Sequence, residues 1–257
     1  MALRLGGSAR PAEIRMSGLR EAVPASSADS PCAFCTALTH GICGALSPEE
    51  RSEIDRLAKR AAFEPKETLF SQGQAANRVY TVTSGVVRLY KLLPDGRRQI
   101  IGFRITGDFI GLASGANHAL SADAINRVSV CWFSKPLFAR FSEDKPAMLR
   151  KLNEFAHREI AAAHERMLLL GRFTADEKIA SFILAWRERT RRIGRAKEIV
   201  ELPMSRRDIA DYLGLTIETV SRTFTKLERE KVFAVVTGGA RVMDEKRAAA
   251  LATALPN

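Results

Sequence analysis

The sequence predicts an α+β fold in three parts: an N-terminal antiparallel β-barrel or jelly roll, a long helix, and a C-terminal winged helix-turn-helix domain. Between residues 63 and 133, short β-rich runs alternate with turn signals, and glycines recur at positions 73, 85, 96 and 107, which is typical of antiparallel barrels. Residues 144–170 show a helical period. Residues 205–230 read as two short helices joined by a tight turn, and a hairpin follows them.

The N-terminal region divides into an arm and the start of the barrel domain. Residues 1–30 are rich in Ala, Ser, Gly and Arg and show no sustained period, so we expect a disordered arm. Residues 47–60 have the signals of a short helix, because Ser47 is a capping residue, Pro48 takes the first position and Glu50 completes a capping box. We assign residues 31–143, which hold all four cysteines, to the barrel domain.

The long helix, residues 144–170, carries a seam with intervals that alternate between four and three. The seam consists of Leu149, Asn153, Ala156, Ile160, Ala163, Met167 and Leu170. Such a pattern over about three heptads predicts a coiled-coil contact between two copies of the chain, in which Asn153 fixes the register. The alternative is a single helix that packs on its own barrel. We favour a homodimer helix, because helix-turn-helix proteins commonly read palindromes as two-fold dimers.

The second helix of the helix-turn-helix has two faces with different chemistry. Gly214 ends the first helix, and Val220, Phe224 and Leu227 form an apolar face at helical spacing. The opposite face is polar and carries Glu218, Ser221, Arg222 and Thr225. Arg matches O6 and N7 of guanine, Glu accepts from N4 of cytosine, and Ser adapts to either role, so this face predicts base reading in a major groove. A solvated charged face is the alternative interpretation.

Residues around this face are expected to hold the DNA backbone. Arg206 and Arg207 begin the first helix, and Thr216 caps the second. Basic side chains and helix N-termini are the usual phosphate contacts. The run VFAVVTGGARVM predicts a hairpin that turns at Gly238-Gly239, which would form the wing. We assign residues 171–257 to this winged domain.

Charge and hydropathy restrict the partners. The formal net charge is +11 and the pI about 9.9, a balance that suits a polyanion. Residues 171–257 carry 17 Lys and Arg against 12 Asp and Glu, so net charge alone does not locate the DNA-binding part. There is no run of about 18 apolar residues and no apolar stretch of the kind found in signal peptides. We therefore expect a cytoplasmic protein with no membrane partner.

The sequence contains no motif of the common enzyme classes. It lacks a Ser-His-Asp grouping, a phosphate-binding loop and a paired-carboxylate motif, and its four histidines form no H-x-x-x-H pattern. We expect no catalytic residues.

Four cysteines are the remaining candidates for site chemistry. Cys32, Cys35 and Cys43 form C-x2-C-x7-C, and Cys131 lies far along the chain in VSVCWF. Four thiolates satisfy either an iron–sulfur cluster or zinc. His40 could replace one cysteine in a Cys₃His zinc site, and Cys131 could instead be a small buried apolar residue. From the residues alone these alternatives stay open.

The segment YLGLTIETVSRTFTKLE closely resembles the recognition segment of the Crp/Fnr superfamily of regulators, and E-x-x-S-R is the version of its Fnr branch. The order of barrel, long helix and winged helix over residues 45–250 is similar to that family. The resemblance implies a barrel of the cyclic-nucleotide-binding type. It also implies a homodimer that binds inverted repeats of TTGAT-type half-sites and acts on RNA polymerase.

The resemblance further implies an oxygen-labile [4Fe–4S] cluster. Regulators of the Fnr branch hold it with three clustered N-terminal cysteines and one in the barrel, and Cys32, Cys35, Cys43 and Cys131 match that arrangement. The spacing is similar to that of the FnrN type of rhizobia. The function implied is oxygen-responsive regulation of anaerobic or microaerobic genes. The rival interpretations are a cluster-free regulator controlled by thiol oxidation and a barrel protein stabilised by zinc.

A cyclic nucleotide is not expected. GDFIG at residues 107–111 is similar to the cyclic-AMP receptors, but Leu112 and Ala113 follow it where those proteins use a glutamate. ALSADA at residues 119–124 has no arginine for the cyclic phosphate, which needs a buried cation.

Overall fold

The structure is a computed structural model, and it describes residues 20–21, 32, 35–111, 115–194 and 198–252. Two antiparallel sheets form the N-terminal barrel, and the predicted α+β fold is confirmed. The first sheet has the order β1-β2-β9-β4-β7 and the second the order β3-β8-β5-β6. The strands are β1 (Arg20–Glu21), β2 (Lys59–Phe63), β3 (Thr68–Phe70), β4 (Arg78–Ser84), β5 (Val87–Leu92), β6 (Arg98–Arg104), β7 (Phe109–Ile110), β8 (Ser121–Ala124) and β9 (Val128–Ser134).

Two expectations for the N-terminal region need correction. Residues 1–30 were expected to be disordered, but Arg20 and Glu21 form β1 and pair with Ala62 and Ala61 of β2. The rest of that arm lies outside the described residues. The helix expected over residues 47–60 is α1 (Pro48–Leu57), with the capping box between Ser47 and Glu50 in place. It ends early because the chain from Lys59 onward pairs with β9, and tertiary pairing overrides helix propensity there.

Two helices follow the barrel. The short helix α2 (Lys135–Glu143) was not predicted, and it leads into the long helix α3 (Pro146–Arg172). The inner face of α3 buries Met148, Leu152 and Phe155 against a cluster that includes Phe109 and Phe138. The inner face of α3 therefore packs on the barrel, and the exposed residues of this helix lie on its outer face.

The C-terminal region contains the predicted winged helix-turn-helix. Its elements are α4 (Ala175–Arg192), β10 (Ile199–Glu201), α5 (Arg206–Leu213), α6 (Ile217–Arg229), β11 (Phe233–Val236), β12 (Gly239–Val242) and α7 (Glu245–Ala252). The hairpin turns at Thr237-Gly238, one residue earlier than expected, because Gly239 already pairs with Val236. Gly239 also pairs with Glu201 of β10, and a Cβ on Gly239 would lie 2.3 Å from the Val200 carbonyl oxygen.

The barrel and the C-terminal region share one apolar core. Val86, Ile100 and Phe103 of the barrel belong to the same buried cluster as the apolar residues of α4, α5 and α6. The ring of Phe103 lies 5.9 Å from that of Trp186 and 5.2 Å from that of Tyr212. The recognition segment is therefore docked on the barrel. Within the described parts of the chain, none of the helices is long and apolar enough to cross a membrane.

Candidate DNA-reading surface and cysteine site

The two helices of the helix-turn-helix are fixed by their ends. Ser205 caps α5 and forms a capping box with Asp208. Gly214 ends α5 with φ 63° and ψ 40°, a left-handed conformation in which a side chain is strained. Thr216 caps α6, since its Oγ1 accepts a hydrogen bond of 3.1 Å from the Thr219 amide. Local sequence signals therefore set the angle between α5 and α6.

The structure places the three predicted base-reading side chains on one exposed face of α6. Glu218, Ser221 and Arg222 are all exposed. The opposite face is buried against the core, and it consists of Val220, Thr223, Phe224 and Leu227. Hydrogen bonds from its own backbone amide and from Thr216, together with the charge of Arg222, hold the pKa of Glu218 below its ordinary value. Glu218 is therefore a charged acceptor beside a guanidinium donor.

The expected phosphate contacts differ in accessibility. Arg207 and Thr216 are exposed. The guanidinium of Arg206 instead lies 3.2 Å from the ring centroid of Phe224, and burial lowers its pKa. A cation stacked on an aromatic face has lost part of its freedom to reach a phosphate. Arg207 and Thr216 are thus better placed for that contact than Arg206.

The residues of the expected seam in α3 also differ in how exposed they are. The large members Leu149, Ile160 and Met167 are exposed by 45%, 54% and 63%. Asn153 and Ala163 are also exposed, and Ala156 is partly buried. Leu170 is different, because it packs against the core of the C-terminal region, with its Cδ2 close to Gly214. Leu168 is 52% exposed and adds apolar surface that the heptad pattern did not include.

The cysteines come from separate elements and converge on one side of the barrel. Cys131 lies in the middle of β9, between Arg60 of β2 and Thr81 of β4. Cys43 lies in a 3₁₀ turn, Ile42–Ala45, and both Cys43 and Cys131 pack against the cluster that contains the inner face of α3. Cys32 donates a hydrogen bond of 3.1 Å from Sγ to Oδ1 of Asp55.

The charges of these thiols are coupled. Burial, and then the neighbouring Cys131 and Cys35, raise the pKa of Cys43 to about 12. Burial raises the pKa of Cys131 to about 11, with Arg60 opposing and Cys35 adding to the rise. Burial, Asp55 and the other cysteines also raise the pKa of Cys32. Because each thiolate disfavours the next, a cation is needed to hold them together in the charged form.

The four cysteines fit an iron–sulfur cluster or zinc, because thiolates are ligands of both and the four side chains lie on the same side of the barrel. Among the described residues, no group of three or more His, Cys, Asp or Glu side chains is arranged to hold a metal ion. His40, the alternative fourth ligand, is exposed and lies against Gly107.

Sequence reasoning missed the side chains that hold α5 on the barrel. Arg88 of β5 and Arg98 of β6 form ion pairs with Asp208 and Asp211. The partners are separated by 110 to 120 positions in the chain, so no local spacing signals their contact.

Comparisons with known proteins agree with this architecture. Residues 60–145 match the model of the cyclic nucleotide-binding domain, and residues 202–233 match that of the bacterial regulatory proteins of the crp family. The chain is 53% identical over 220 residues to the transcriptional activatory protein AadR of Rhodopseudomonas palustris, covering 86% of this chain and 92% of that protein. The chain belongs to the Crp/Fnr family. Regulators of this family bind DNA as dimers and contact RNA polymerase, and they are not enzymes.

Other members of the family are also similar over most of their length. The nitrogen fixation regulation protein FixK of Bradyrhizobium diazoefficiens is 52% identical and covers 87% of this chain and 94% of its own. The transcriptional activator FnrL of Cereibacter sphaeroides is 32% identical and covers 83% and 91%. The structure of FixK2 from Bradyrhizobium japonicum superposes with a TM-score of 0.70 at 37% identity, over 76% of this chain and 96% of that one.

Proposed function

We propose that this protein is a homodimeric, oxygen-responsive transcription activator that binds inverted repeats of TTGAT-type half-sites under the control of a [4Fe–4S] cluster. The observation that carries the DNA-binding part is the exposed face of α6 with Glu218, Ser221 and Arg222. The cluster part rests on the convergence of four cysteines from separate segments on one side of the barrel.

Base reading follows from the chemistry of that face. Arg222 presents two parallel donors that match O6 and N7 of guanine, and Glu218 accepts from N4 of a cytosine. The two residues are one helical turn apart, so they reach neighbouring base pairs. Arg207 and Thr216 lie at the N-terminal ends of α5 and α6, where they hold phosphates on either side of the reading face.

Dimerisation is supported by the outer face of α3. Leu149, Ile160 and Met167 are each about half exposed in a single chain. Large apolar side chains repeated along one helix face are costly in water, and a second copy of the same helix covers them. Asn153 is exposed on the same face, where it sets the register of the pair.

Cys32, Cys35, Cys43 and Cys131 are the residues that would hold the cluster. When bound, the cluster supplies a cationic iron core that joins four thiolates and is destroyed by oxygen. The chain itself supplies the route to the dimer helix. Ile42 and Leu46, on either side of Cys43, pack in one cluster with Met148 and Leu152 of α3. A cluster that fixes the cysteine segment therefore also fixes the inner face of α3. The outer face of the same helix forms the proposed contact with the second copy of the chain.

The names of the relatives support the physiological part of the proposal. AadR and FnrL are described as activators, and FixK as a regulator of nitrogen fixation. Activation rather than repression is proposed for this chain from these similarities, whereas control by oxygen is proposed from the resemblance of its cysteine arrangement to that of the Fnr branch.

The test is anaerobic purification with iron and sulfide assays and absorption spectra before and after air. We expect about four iron and four sulfide per chain, a visible absorption band that bleaches in air, and operator binding that is lost with the band. The matched pair is Cys131→Ser against Ser129→Ala on the same strand, and only the cysteine variant should lose iron.

The two rivals give different results in the same experiment. A protein without metal whose DNA binding responds to thiol oxidants would be the cluster-free regulator. Zinc without iron would identify the barrel stabilised by zinc. Either result contradicts the cluster, and neither alters the expected base reading by α6.

A further inference from the structure

Two arginines of the barrel hold the first helix of the helix-turn-helix. Arg88 of β5 donates to both carboxylate oxygens of Asp123, at 2.8 and 2.6 Å, and its remaining nitrogen pairs with Asp208 of α5. Arg98 of β6 donates to Asp211 at 2.9 and 2.6 Å and to Asp208 at 2.9 Å. One continuous set of charges thus joins the second sheet to α5.

The side chains of this set are largely removed from water. The exposed fraction is 14% for Arg88, 7% for Asp208 and 21% for Arg98. Burial alone would raise the pKa of Asp208, but hydrogen bonds from Ser205 and the charge of Arg88 outweigh it and hold the pKa below its ordinary value. Buried ion pairs add little net stability but are costly to break on one side. In some proteins such pairs favour a single arrangement of the parts they join.

Additional contacts hold the same helix from two sides. Gln99 of β6 donates a hydrogen bond of 2.6 Å to the backbone carbonyl of Asp211. Arg166 of α3 donates a hydrogen bond of 2.7 Å to the hydroxyl of Tyr212, and its guanidinium lies 4.2 Å from the centroid of the Tyr212 ring. The barrel and the dimer helix therefore both hold α5, and α5 carries α6 through the tight turn at Gly214.

A dimer reads two half-sites only if its two recognition helices are separated by the distance between successive major grooves on one face of the DNA, about 34 Å. That separation depends on how each α6 is held relative to its own α3. We propose that Arg98 and Asp211, together with Arg88 and Asp208, are positioning residues that set the half-site spacing this dimer accepts. The proposal rests on the proposed dimeric binding to inverted half-sites, and it is independent of the cluster.

The test compares whole operators with half operators. Duplexes are first selected by the wild-type protein from a random pool, so that the half-site is the one this chain prefers. Spacer variants, longer and shorter by one or two base pairs, are then made from the best duplex. Affinity is measured under anaerobic conditions for wild type and Arg98→Ala, on the whole operator, on each spacer variant and on a single half-site.

We expect Arg98→Ala to lose about tenfold in affinity for the whole operator, because the second half-site contributes through effective concentration. Affinity for the single half-site should stay within about twofold, since the hydrogen bonds of Arg98 to the helix-turn-helix go to α5, not to the proposed reading face of α6. The penalty for a changed spacer should become smaller than in the wild type. A merely structural role would not produce this last effect.

Two further variants isolate the pair. Asp211→Ala should show the same kind of change as Arg98→Ala but a smaller one, because Arg98→Ala also removes the contact with Asp208. The double variant should be no worse than Arg98→Ala, since the two single variants share the Arg98–Asp211 interaction. The matched control is Arg97→Ala, because Arg97 is 77% exposed and pairs only with Asp95 among the ion pairs of the described residues. It should behave as wild type in every assay.

Three results overturn the proposal. The first is an equal loss of affinity of Arg98→Ala for the half-site and for the whole operator, which means that α6 itself is damaged. The second is a higher affinity of Arg98→Ala for the whole operator, which means that the contact holds α5 and α6 away from DNA. The third is dissociation of the dimer, measured by sedimentation, that accounts for the loss. If the selected half-site is not of the TTGAT type, the proposed half-site is wrong while the spacing test stands.

Discussion

The reading face of α6 and the cysteine site differ in how complete they are in the single chain. Glu218, Ser221 and Arg222 already share one exposed surface on a helix whose cap and turn are formed. The four cysteines share one neighbourhood, but no group of three or more side chains among the described residues is arranged to hold a metal ion. Burial raises the pKa of the Cys32, Cys43 and Cys131 thiols. We propose that the first site is preformed and that the second forms only when a metal cluster binds. A regulator benefits from that difference, because only the second site has to respond to a signal.

Cys131→Ser should have the largest effect of the variants, because it removes one proposed ligand of the cysteine site and leaves the reading face of α6 unchanged. In the proposed site this variant lacks the fourth ligand, which joins the cysteine segment to β9, and we expect loss of dimerisation. The operator affinity should fall on the order of 10²–10⁴-fold, which is what the second half-site contributes through avidity. Anaerobic DNA-binding curves measure it. Wild-type affinity in this variant would show that the cysteine site does not control DNA binding.

Arg222→Ala should damage the preformed site without touching the cysteines. Loss of a bidentate contact to guanine costs about 1–3 kcal/mol per half-site and relaxes preference at that base pair. Binding to a panel of single-base operator variants measures it, with Arg97→Ala, an exposed arginine of the barrel, as the control. An unchanged preference at every position contradicts the assignment.

Gly214→Ala should affect the turn that joins α5 to α6. A side chain in the left-handed region costs roughly 1–2 kcal/mol, and the added Cβ would lie 3.3 Å from Cδ2 of Leu170. We expect a lower midpoint in chemical denaturation of the C-terminal region. Gly238→Ala is the comparison, because Gly238 also has positive φ but nothing lies within 4 Å of its Cβ position. Equal losses in both variants would mean that the contact with Leu170 adds nothing to the backbone strain.

Arg207→Ala should have a smaller effect than the variants above. It should weaken binding to all sequences alike and reduce the slope of affinity against salt by about one. Arg206→Ala should change the slope less, because Arg206 is stacked on Phe224. A larger slope change for Arg206 than for Arg207 would reverse our ranking of the two arginines.

The features that could be predicted from the sequence are those formed by residues close together in the chain. The cap at Thr216, the turn at Gly214 and the two faces of α6 are local, so the helical period was sufficient to find them. The strands β3, β4, β5, β6 and β9 were likewise visible as apolar β-rich runs. Strand β2 was missed because Lys59, Arg60 and two alanines favour a helix until β9 pairs with them.

Contacts distant in the chain could not be predicted. Nothing near Arg98 in the sequence indicates that Asp211 is its partner, since 113 positions separate the two. The heptad pattern included Leu170 in the dimer seam, but the fold uses it partly to cover the turn at Gly214. The domain boundary at residue 171 remains a proposal, because the barrel and the C-terminal region share a core.

Sedimentation of the wild-type protein before and after air is the most direct test of the account. The protein is purified without oxygen, its iron is assayed, and its mass is measured in both states at the same concentration. We predict an iron-containing dimer that becomes an iron-free monomer in air. A protein that remains dimeric after all its iron is lost would contradict the control of α3 by the cysteine site.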